Sequence, residues 1–474
     1  MRNGLNSIDL LTLSREKPVH FMGIGGAGMA PLAELILRSG GQLTGCDSLM
    51  GPAARALEAI GVRVGEGHDP SHVAGCGALI VTAAVPADHP EIQAARSAGI
   101  PVLKRAEALG AIVNRGYVVA VAGTHGKTTT TALTTAVLEA AGLDPTAFVG
   151  GRVPGWNGNL RRGSDAIFVV EADEYDRSFL RLQPSIAVVT TVEADHLDIF
   201  GSLAGVEEAF LTFLDSVPTD GLIVACADES GVGRLIPRLK HPRRSVLTYG
   251  LSAGSMLRAD DVESKGRETS FTVLEHGRPL GRAQLRIPGT HNVRNALAAI
   301  GVARHLNASW SAIAEGLAGC VGVDRRFEEV GHVDDVLVID DYAHHPTEIS
   351  ATLQAARSSY PERRIVVVFQ PHLYSRTRDF AEEFGHSLAA ADLLFVTDIY
   401  PAREAPIDGV TGQLIVDPAR GNGADALYLP DRASVPNEVA AALRPNDLCL
   451  TLGAGDLNEA AREVLQLLRR DAKS

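Results

Sequence analysis

The sequence predicts an α/β protein of three domains, each a largely parallel sheet covered by helices. Length is the first reason: 474 residues correspond to roughly three domains at about 150 residues each. Patterning is the second, because short β-branched apolar runs alternate with Ala/Leu-rich stretches of helical spacing. The third is that this series starts afresh twice, with junctions near residues 104–116 and 320–327. Composition agrees: 45% hydrophobic and 21% charged residues can furnish several cores. The net charge of −13 argues against broad nucleic-acid binding or docking on an anionic membrane. No apolar run approaches the roughly 20 residues that span a bilayer, and residues 1–20 lack the regions of a signal peptide. Cys46, Cys76, Cys226, Cys320 and Cys449 are scattered without a CxxC pair, so they read as reduced, mostly buried thiols of a cytoplasmic enzyme rather than a disulfide frame or zinc site.

In the first series, Val19–Gly23 reads as a strand and Met29–Arg38 as its helix, with further strands at Ala78–Val81 and Ile100–Leu103. The second opens with strand Tyr117–Val121 and helix Thr128–Ala141, then strands near Ile167–Val170, Ile186–Thr190 and Leu222–Ala225. The turn-rich stretch 240–290 predicts short antiparallel strands. The third series runs through strands Val336–Asp340, Ile365–Phe369, Leu393–Thr397 and Leu448–Leu452. No repeat of fixed period interrupts this order.

Chemistry concentrates at 117–130, where a strand ends in Gly123-Thr124-His125-Gly126-Lys127-Thr128-Thr129 and a helix begins. Such a turn aims backbone N–H groups and a helix N-terminus at an anion. Lys127 supplies a point charge for the β/γ-phosphates and Thr128 a hydroxyl for Mg²⁺, so ATP or GTP binding is expected. The motif is not a full Walker A, since Val121 replaces its first glycine. Two acidic loops follow two later strands, where parallel sheets place their ligands. In 171–177, Glu171 is preferred to Asp173 and Glu174 as a metal ligand because it comes first after the strand. In 191–198, His196 with Glu193 or Asp195 offers a second Mg²⁺ site. Asn292 and Asn295 share one helical face and can hydrogen-bond an adenine or phosphate edge.

With these motifs in order, the chain resembles the Mur ligases. The matching segments run nearly end to end: 20–36 (HFMGIGGAGMAPLAELI), 122–132, 170–180, 193–200, 291–300, 322–331, 340–349, 369–380 and 400–412. The resemblance implies a Rossmann-like domain at 1–106 for the UDP end of the substrate, a central P-loop ATPase-like ATP-binding domain at 107–321, and a Rossmann-like amino-acid-binding domain at 322–474. It implies an ATP-dependent amide ligase of peptidoglycan synthesis, a cytoplasmic monomer or dimer. L-alanine would be joined to the lactyl carboxylate of UDP-N-acetylmuramate through an acyl phosphate, with ADP and phosphate released. Lys127, Glu171, His196 and Arg376 are then the expected catalytic residues, with Mg²⁺ on Thr128, Glu171 and His196. Gly25, Gly26, Ala27 and Gly28 of the GxGxxG loop, with Asp47, would take the UDP end. Arg376 and Arg378 would clamp the L-alanine carboxylate, guanidinium forks being matched to carboxylates. Arg325, Arg326 and His344 fall where the family contacts substrate or nucleotide, beside His345 and the strand end Asp340-Asp341. No single domain holds every part, so the reaction is expected to require the three to close over their substrates.

Some positions depart from the family. Thr191 stands where Asn is usual, Asp324 where Lys is common, and 82–91 lacks the usual serines. No lysine lies between Lys127 and Lys240, where sister ligases carry a modified one; the first ligase of the pathway fits better. Three alternatives stand beside it: a related ligase adding a peptide or another amino acid, an NAD-dependent oxidoreductase resting on GIGGAG alone, and a nucleotide-dependent switch. Hydride transfer needs no γ-phosphate cradle, and a switch needs no arginines at 376 and 378.

Overall fold

Val19 begins the first sheet of the computed structural model, which describes residues 8–471 apart from 83, 157, 242–243 and 403, and only the backbone of 197, 198 and 471. Residues 1–7, Ala83 of segment 82–91, Arg403 of segment 400–412 and the side chains of Leu197 and Asp198 therefore lie outside the described residues.

The first sheet contains β1 (Val19–Met22), β2 (Leu43–Asp47), β3 (Arg63–Glu66), β4 (Ala78–Val81) and β5 (Val102–Lys104). All are parallel, in the order β3-β2-β1-β4-β5. β1 and β4 are fully buried, as a covered parallel sheet requires, and apolar apart from His20 in β1. β2 and β3 had no sequence expectation: polar Thr44, Arg63 and Glu66 break their apolar pattern. The order reverses direction at β1, opening a crevice at the carboxyl ends of β1 and β4.

Next come β6 (Tyr117–Ala122), β7 (Thr146–Val153), β8 (Gly158–Arg161), β9 (Ile167–Glu171), β10 (Ile186–Val189), β11 (Leu222–Cys226) and β12 (Ser245–Gly250). β6 lies between β9 and β10, both parallel to it. Every acidic loop expected from the sequence therefore borders the phosphate loop. Helix Lys127–Ala140 holds six threonines, poor helix formers in isolation. Burial and hydroxyl bonds back along the helix (Thr131 to Lys127 O, 2.8 Å; Thr135 to Thr131 O, 2.7 Å) stabilise it. One hydrophobic cluster runs from Phe21 of the first sheet and Leu35 of the helix after β1 to Val118 and Phe168 of the second sheet and Phe210 of helix Leu203–Leu214.

The stretch expected to hold short antiparallel strands contains longer ones: β13 (Leu257–Lys265), β14 (Glu268–Glu275) and β15 (Arg278–Leu285), joined by two-residue turns. The second turn, His276-Gly277, has both φ values positive, the geometry that matches hairpin twist. β12 departs from the expectation, running parallel to β11.

The last sheet contains β16 (Glu328–Val333), β17 (Val336–Asp341), β18 (Arg364–Phe369), β19 (Leu393–Thr397), β20 (Ala426–Leu429) and β21 (Asp447–Leu452). Its order is β16-β17-β21-β18-β19-β20, parallel except for β16. Leu337, Ile339 and Val367 join one core and Val336, Val338 and Val366 another, the period-two alternation of a sheet covered on both faces. By contact density the chain divides into two compact units. One runs to Arg258 and includes Leu274–Leu280 and Arg294–Leu317; the other holds Ala259–Val273, Gly281–Val293 and the chain from Ala318. No helix of the described residues is long and apolar enough to cross a membrane.

Candidate functional site

In the first unit, β6 delivers Gly123 (φ +141°) and Gly126 (φ +81°) at the two bends of the phosphate loop. A Cβ on Gly126 would stand 2.7 Å from Asn295 Oδ1, so the glycine is required by space as well as by φ. The loop is held from the strand beside it. Thr124 N donates to Thr191 O (2.9 Å), His125 N to Thr191 Oγ1 (2.8 Å), and Glu193 N to Thr124 Oγ1 (3.0 Å). Thr191 thus braces the loop through both its carbonyl and its hydroxyl. His125 Nε2 lies 3.4 Å from Glu193, and Thr129 is buried in the first helical turn.

Lys127 Nζ donates to Gly123 O (2.6 Å) and to both oxygens of Glu174 (2.9 and 2.8 Å). Burial opposes the lysine's charge, but Glu174 and then Asp173 outweigh it and raise its pKa. Burial likewise pushes Glu174 up to about 7, against the pull of Lys127. Thr128 Oγ1 donates to Glu171 Oε1 (3.0 Å), and Gly150 N donates to the other carboxylate oxygen. Glu171 is the last residue of β9 rather than the first beyond it, so it is anchored by the sheet. These are hard oxygen donors suited to Mg²⁺. His196 adopts φ +51°, its N–H bonded to Asp195 Oδ1 (2.7 Å) and its ring edge-on to Tyr175.

The glycine loop leaves β1 at Gly23 (φ +78°). Gly25 N donates to Asp47 Oδ2 (2.8 Å), so the expected ribose partner also shapes the loop. Two neighbours had no sequence signal. Asn159 donates to Ala27 O (2.8 Å), and Arg105 packs on Gly28, where a Cβ would come within 2.8 Å of its side chain. Gly26 is less tight, with a Cβ meeting Gly23 O at 3.3 Å. Arg105 opens the helix directly after β5, so it follows the strand-end rule that located Glu171.

In the second unit, the guanidinium of Arg325 is engaged by Asp340 (3.1 Å), Gly453 O (2.6 Å) and Gly455 O (3.1 Å). Arg325 and Arg326 both lie over the Tyr342 ring, and Arg326 is 3.9 Å from Glu348. Asp341 accepts from Phe327 N and Ala343 N, and burial pushes its carboxyl up to about 6. His344 Nδ1 meets Tyr342 O at 2.9 Å; burial lowers its pKa to about 3, with Arg376 adding to the effect against the pull of Glu348. His345 caps the helix Pro346–Ser359. The two arginines expected to form a clamp differ: Arg376 is buried, whereas Arg378 is 53% exposed and paired with Asp379 at 2.7 Å. Asn292 and Asn295 lie three residues apart on helix Thr290–His305, both buried: Asn295 stands at Gly126, and Asn292 donates to Pro288 O (2.6 Å).

A lysine loop and a hydroxyl–carboxylate pair on the carboxyl edge of a parallel sheet, with a second glycine loop beside them in the chain, are the parts of a nucleotide-dependent enzyme. Residues 18–117 match the domain described as Mur ligase family, catalytic domain; residues 121–303 match the Mur ligase middle domain and 325–455 the Mur ligase, glutamate ligase domain. A UDP-N-acetylmuramate–L-alanine ligase of Salinibacter ruber is 43% identical, covering 97% of this chain and 96% of the relative. The UDP-N-acetylmuramate–alanine ligase structure from Thermotoga maritima superposes with a TM-score of 0.80 at 29% identity, covering 96% of this chain and all of the other. A murein peptide ligase from Psychrobacter arcticus shares the fold, with a TM-score of 0.68 at 24% identity over 95% and 98% of the two chains. The chain belongs to the Mur ligase family, a family of ATP-dependent ligases.

Proposed function

We propose that this chain joins L-alanine to the lactyl carboxylate of UDP-N-acetylmuramate at the expense of ATP, in the cytoplasm, as a step of peptidoglycan synthesis. The observation that carries this reading is the Lys127–Thr128–Glu171 constellation in a chain 43% identical, nearly end to end, to a ligase of that name. A carboxylate is a poor electrophile until it carries a leaving group. Its oxygen attacks the γ-phosphorus, the bond to ADP breaks, and an acyl phosphate results. The uncharged amine of L-alanine then attacks the acyl carbon, phosphate departs, and the amine's proton is lost. Lys127 and the N–H groups of the phosphate loop neutralise and align the phosphates, which is most of what phosphoryl transfer asks of a protein. Thr128, Glu171 and His196 would hold Mg²⁺, which when bound adds charge stabilisation to the transferring phosphoryl group.

Residues 1–106 would hold the UDP end through Gly25–Gly28 and Asp47, residues 107–321 ATP, and residues 322–474 L-alanine, with Arg376 taking its carboxylate. Arg378, out in solvent, would contribute the weaker part of that contact, and Arg325, already engaged, would position Arg326 across Tyr342. The deciding experiment is phosphate release from ATP with UDP-N-acetylmuramate, compared across L-alanine, glycine, L-serine, D-glutamate and a tripeptide. L-alanine should give the highest kcat/KM. Preference for the tripeptide or D-glutamate would reassign the chain to a sister activity.

A further inference from the structure

We propose that His20, Cys46, His72 and Glu91 form a binding site for a zinc-class divalent cation directly behind the glycine loop. The four side chains come from four segments: β1, β2, the turn Pro70–Val73 and the helix Pro90–Ser97. His20 Nε2 is 3.1 Å from Glu91 Oε1 and 3.4 Å from Cys46 Sγ. His72 Nδ1 is 3.2 Å from the same Glu91 oxygen, and Cys46 Sγ is 3.6 Å from it. One donor atom from each residue fits within 4.8 Å of all the others. Tetrahedral bonds of about 2.0–2.3 Å place donors roughly 3.3–3.8 Å apart, so the cluster needs little adjustment to close on a cation. Two nitrogens, a sulfur and a carboxylate oxygen suit a borderline-soft ion, whereas Mg²⁺ or Ca²⁺ would call for oxygens throughout.

Burial strengthens the case. Glu91 and Cys46 are wholly buried and His20 is 2% exposed. Among the described residues, every ion pair of Glu91 is to a histidine: His20, His68 or His72. A carboxylate this deep requires a cationic counterpart, and a bound metal supplies one outright. His20 is already oriented, its Nδ1 meeting Thr44 Oγ1 at 2.7 Å so that Nε2 faces the cluster, the usual arrangement around a ligating imidazole. His72 Nδ1 also takes a long contact from the Asp69 amide (3.4 Å), which a cation on that nitrogen would displace. His68, with Nδ1 3.1 Å from Cys46 Sγ, and His72 are partly exposed and form the way in.

The site has a structural consequence. Cys46 O accepts from Gly23 N (2.8 Å) and Ile24 N (3.1 Å), and the next residue, Asp47, holds Gly25 N. A cation on Cys46 would therefore fix the strand end from which the glycine loop hangs.

The test uses full-length protein carrying no histidine tag, stripped of metal and titrated with Co²⁺ and then Zn²⁺. One equivalent per chain should develop tetrahedral Co²⁺ bands in the visible and a sulfur-to-cobalt charge-transfer band in the near ultraviolet. The proposed Mg²⁺ site of Thr128, Glu171 and His196 can take a further ion but offers no sulfur, so the sulfur band reports this site alone. Cys46→Ser should abolish that band, and Glu91→Gln should weaken Zn²⁺ binding at least tenfold, with circular dichroism confirming the fold. X-ray absorption of the zinc-loaded wild type needs no variant and should show one sulfur among nitrogen and oxygen neighbours. Absence of a sulfur band in the wild type, its persistence in folded Cys46→Ser, or an all-oxygen zinc shell would each overturn the proposal.

Discussion

The glycine loop at 23–28 and the phosphate loop at 123–128 share a construction. Each leaves a buried strand, turns on a glycine of positive φ (Gly23 +78°, Gly123 +141°) and leads into a helix. They differ in where charge is kept. The first carries no cation of its own: Asp47 occupies the Gly25 amide, and the positive charge comes from Arg105 beyond β5. The second carries Lys127 inside the motif and stores it against Glu174, whose carboxyl burial raises to about 7. A polyphosphate that drew the lysine away would leave this buried carboxyl without its partner, and burial then favours its neutral form. The comparison teaches that one loop is shaped in advance by a carboxylate and an arginine brought from outside it, whereas the other keeps its cation within the motif, held in an internal ion pair. On the proposed function, a nucleotide's charge would take the place of that pair.

The largest effect should follow from removing that stored charge. Lys127→Ala is expected to lower kcat/KM for ATP by about 10²–10³-fold or more, some 3–4 kcal/mol of transition-state stabilisation. It also strands Glu174 in the interior, so stability should fall. Adding Glu174→Gln should recover stability, read as the denaturant midpoint, without recovering activity. Recovery of both would mean that Lys127 matters only as a partner for Glu174.

The proposed metal ligands come next: Glu171→Gln would weaken a carboxylate held by Thr128 and Gly150 N, and His196→Ala would remove an imidazole. Each should raise the Mg²⁺ concentration for half-maximal rate by about tenfold, while leaving the KM for UDP-N-acetylmuramate within about twofold. Unchanged Mg²⁺ dependence in both variants would move the metal elsewhere.

Alanine substitution of one glycine per loop then isolates the two tasks. Gly126→Ala forces a side chain into φ +81° against Asn295, and Gly23→Ala into φ +78° with Thr82 Cγ2 at 3.0 Å. Left-handed strain of about 1–2 kcal/mol predicts a 5- to 30-fold rise in one KM. That KM should be ATP's in Gly126→Ala and UDP-N-acetylmuramate's in Gly23→Ala, and identical profiles would erase the distinction between the loops.

Legibility from sequence was uneven for physical reasons. Strands buried on both faces announced themselves as apolar runs, so β1, β4, β6, β9, β10, β17 and β18 stood within a residue or two of expectation. β3, β8 and β20 are short or partly exposed, with Gly158, Arg63 and Tyr428 interrupting the pattern. At the site, the Lys127 motif is contiguous and therefore visible, and the Thr128–Glu171 pairing followed from strand-end logic. Glu174 was in view but passed over as a metal ligand, because sequence cannot say which of three neighbouring acids the lysine selects. Arg105, Asn159 and the His20–Cys46–His72–Glu91 cluster are assembled only by folding: their spacings of tens of residues correspond to no local motif.

The smallest effects belong to the residues that tune the glycine loop. Arg105 lies on Gly28 and sits at the carboxyl end of β5, where a parallel sheet presents its ligand contacts. As a partner for one phosphate oxygen, its removal should cost about 1.5 kcal/mol, the low end of a charged hydrogen bond's share, and raise the KM for UDP-N-acetylmuramate roughly tenfold. Asp47→Asn should do less. The amide oxygen can still accept from Gly25 N, so the loop keeps its shape, while an NH₂ replaces the second acceptor offered to a ribose hydroxyl. A rise of about two- to fivefold in that one KM is expected, with ATP and L-alanine untouched. If Asp47→Asn proved the more damaging of the two, the carboxylate's charge rather than its geometry would be what the substrate feels, and Arg105 would be a packing residue for Gly28.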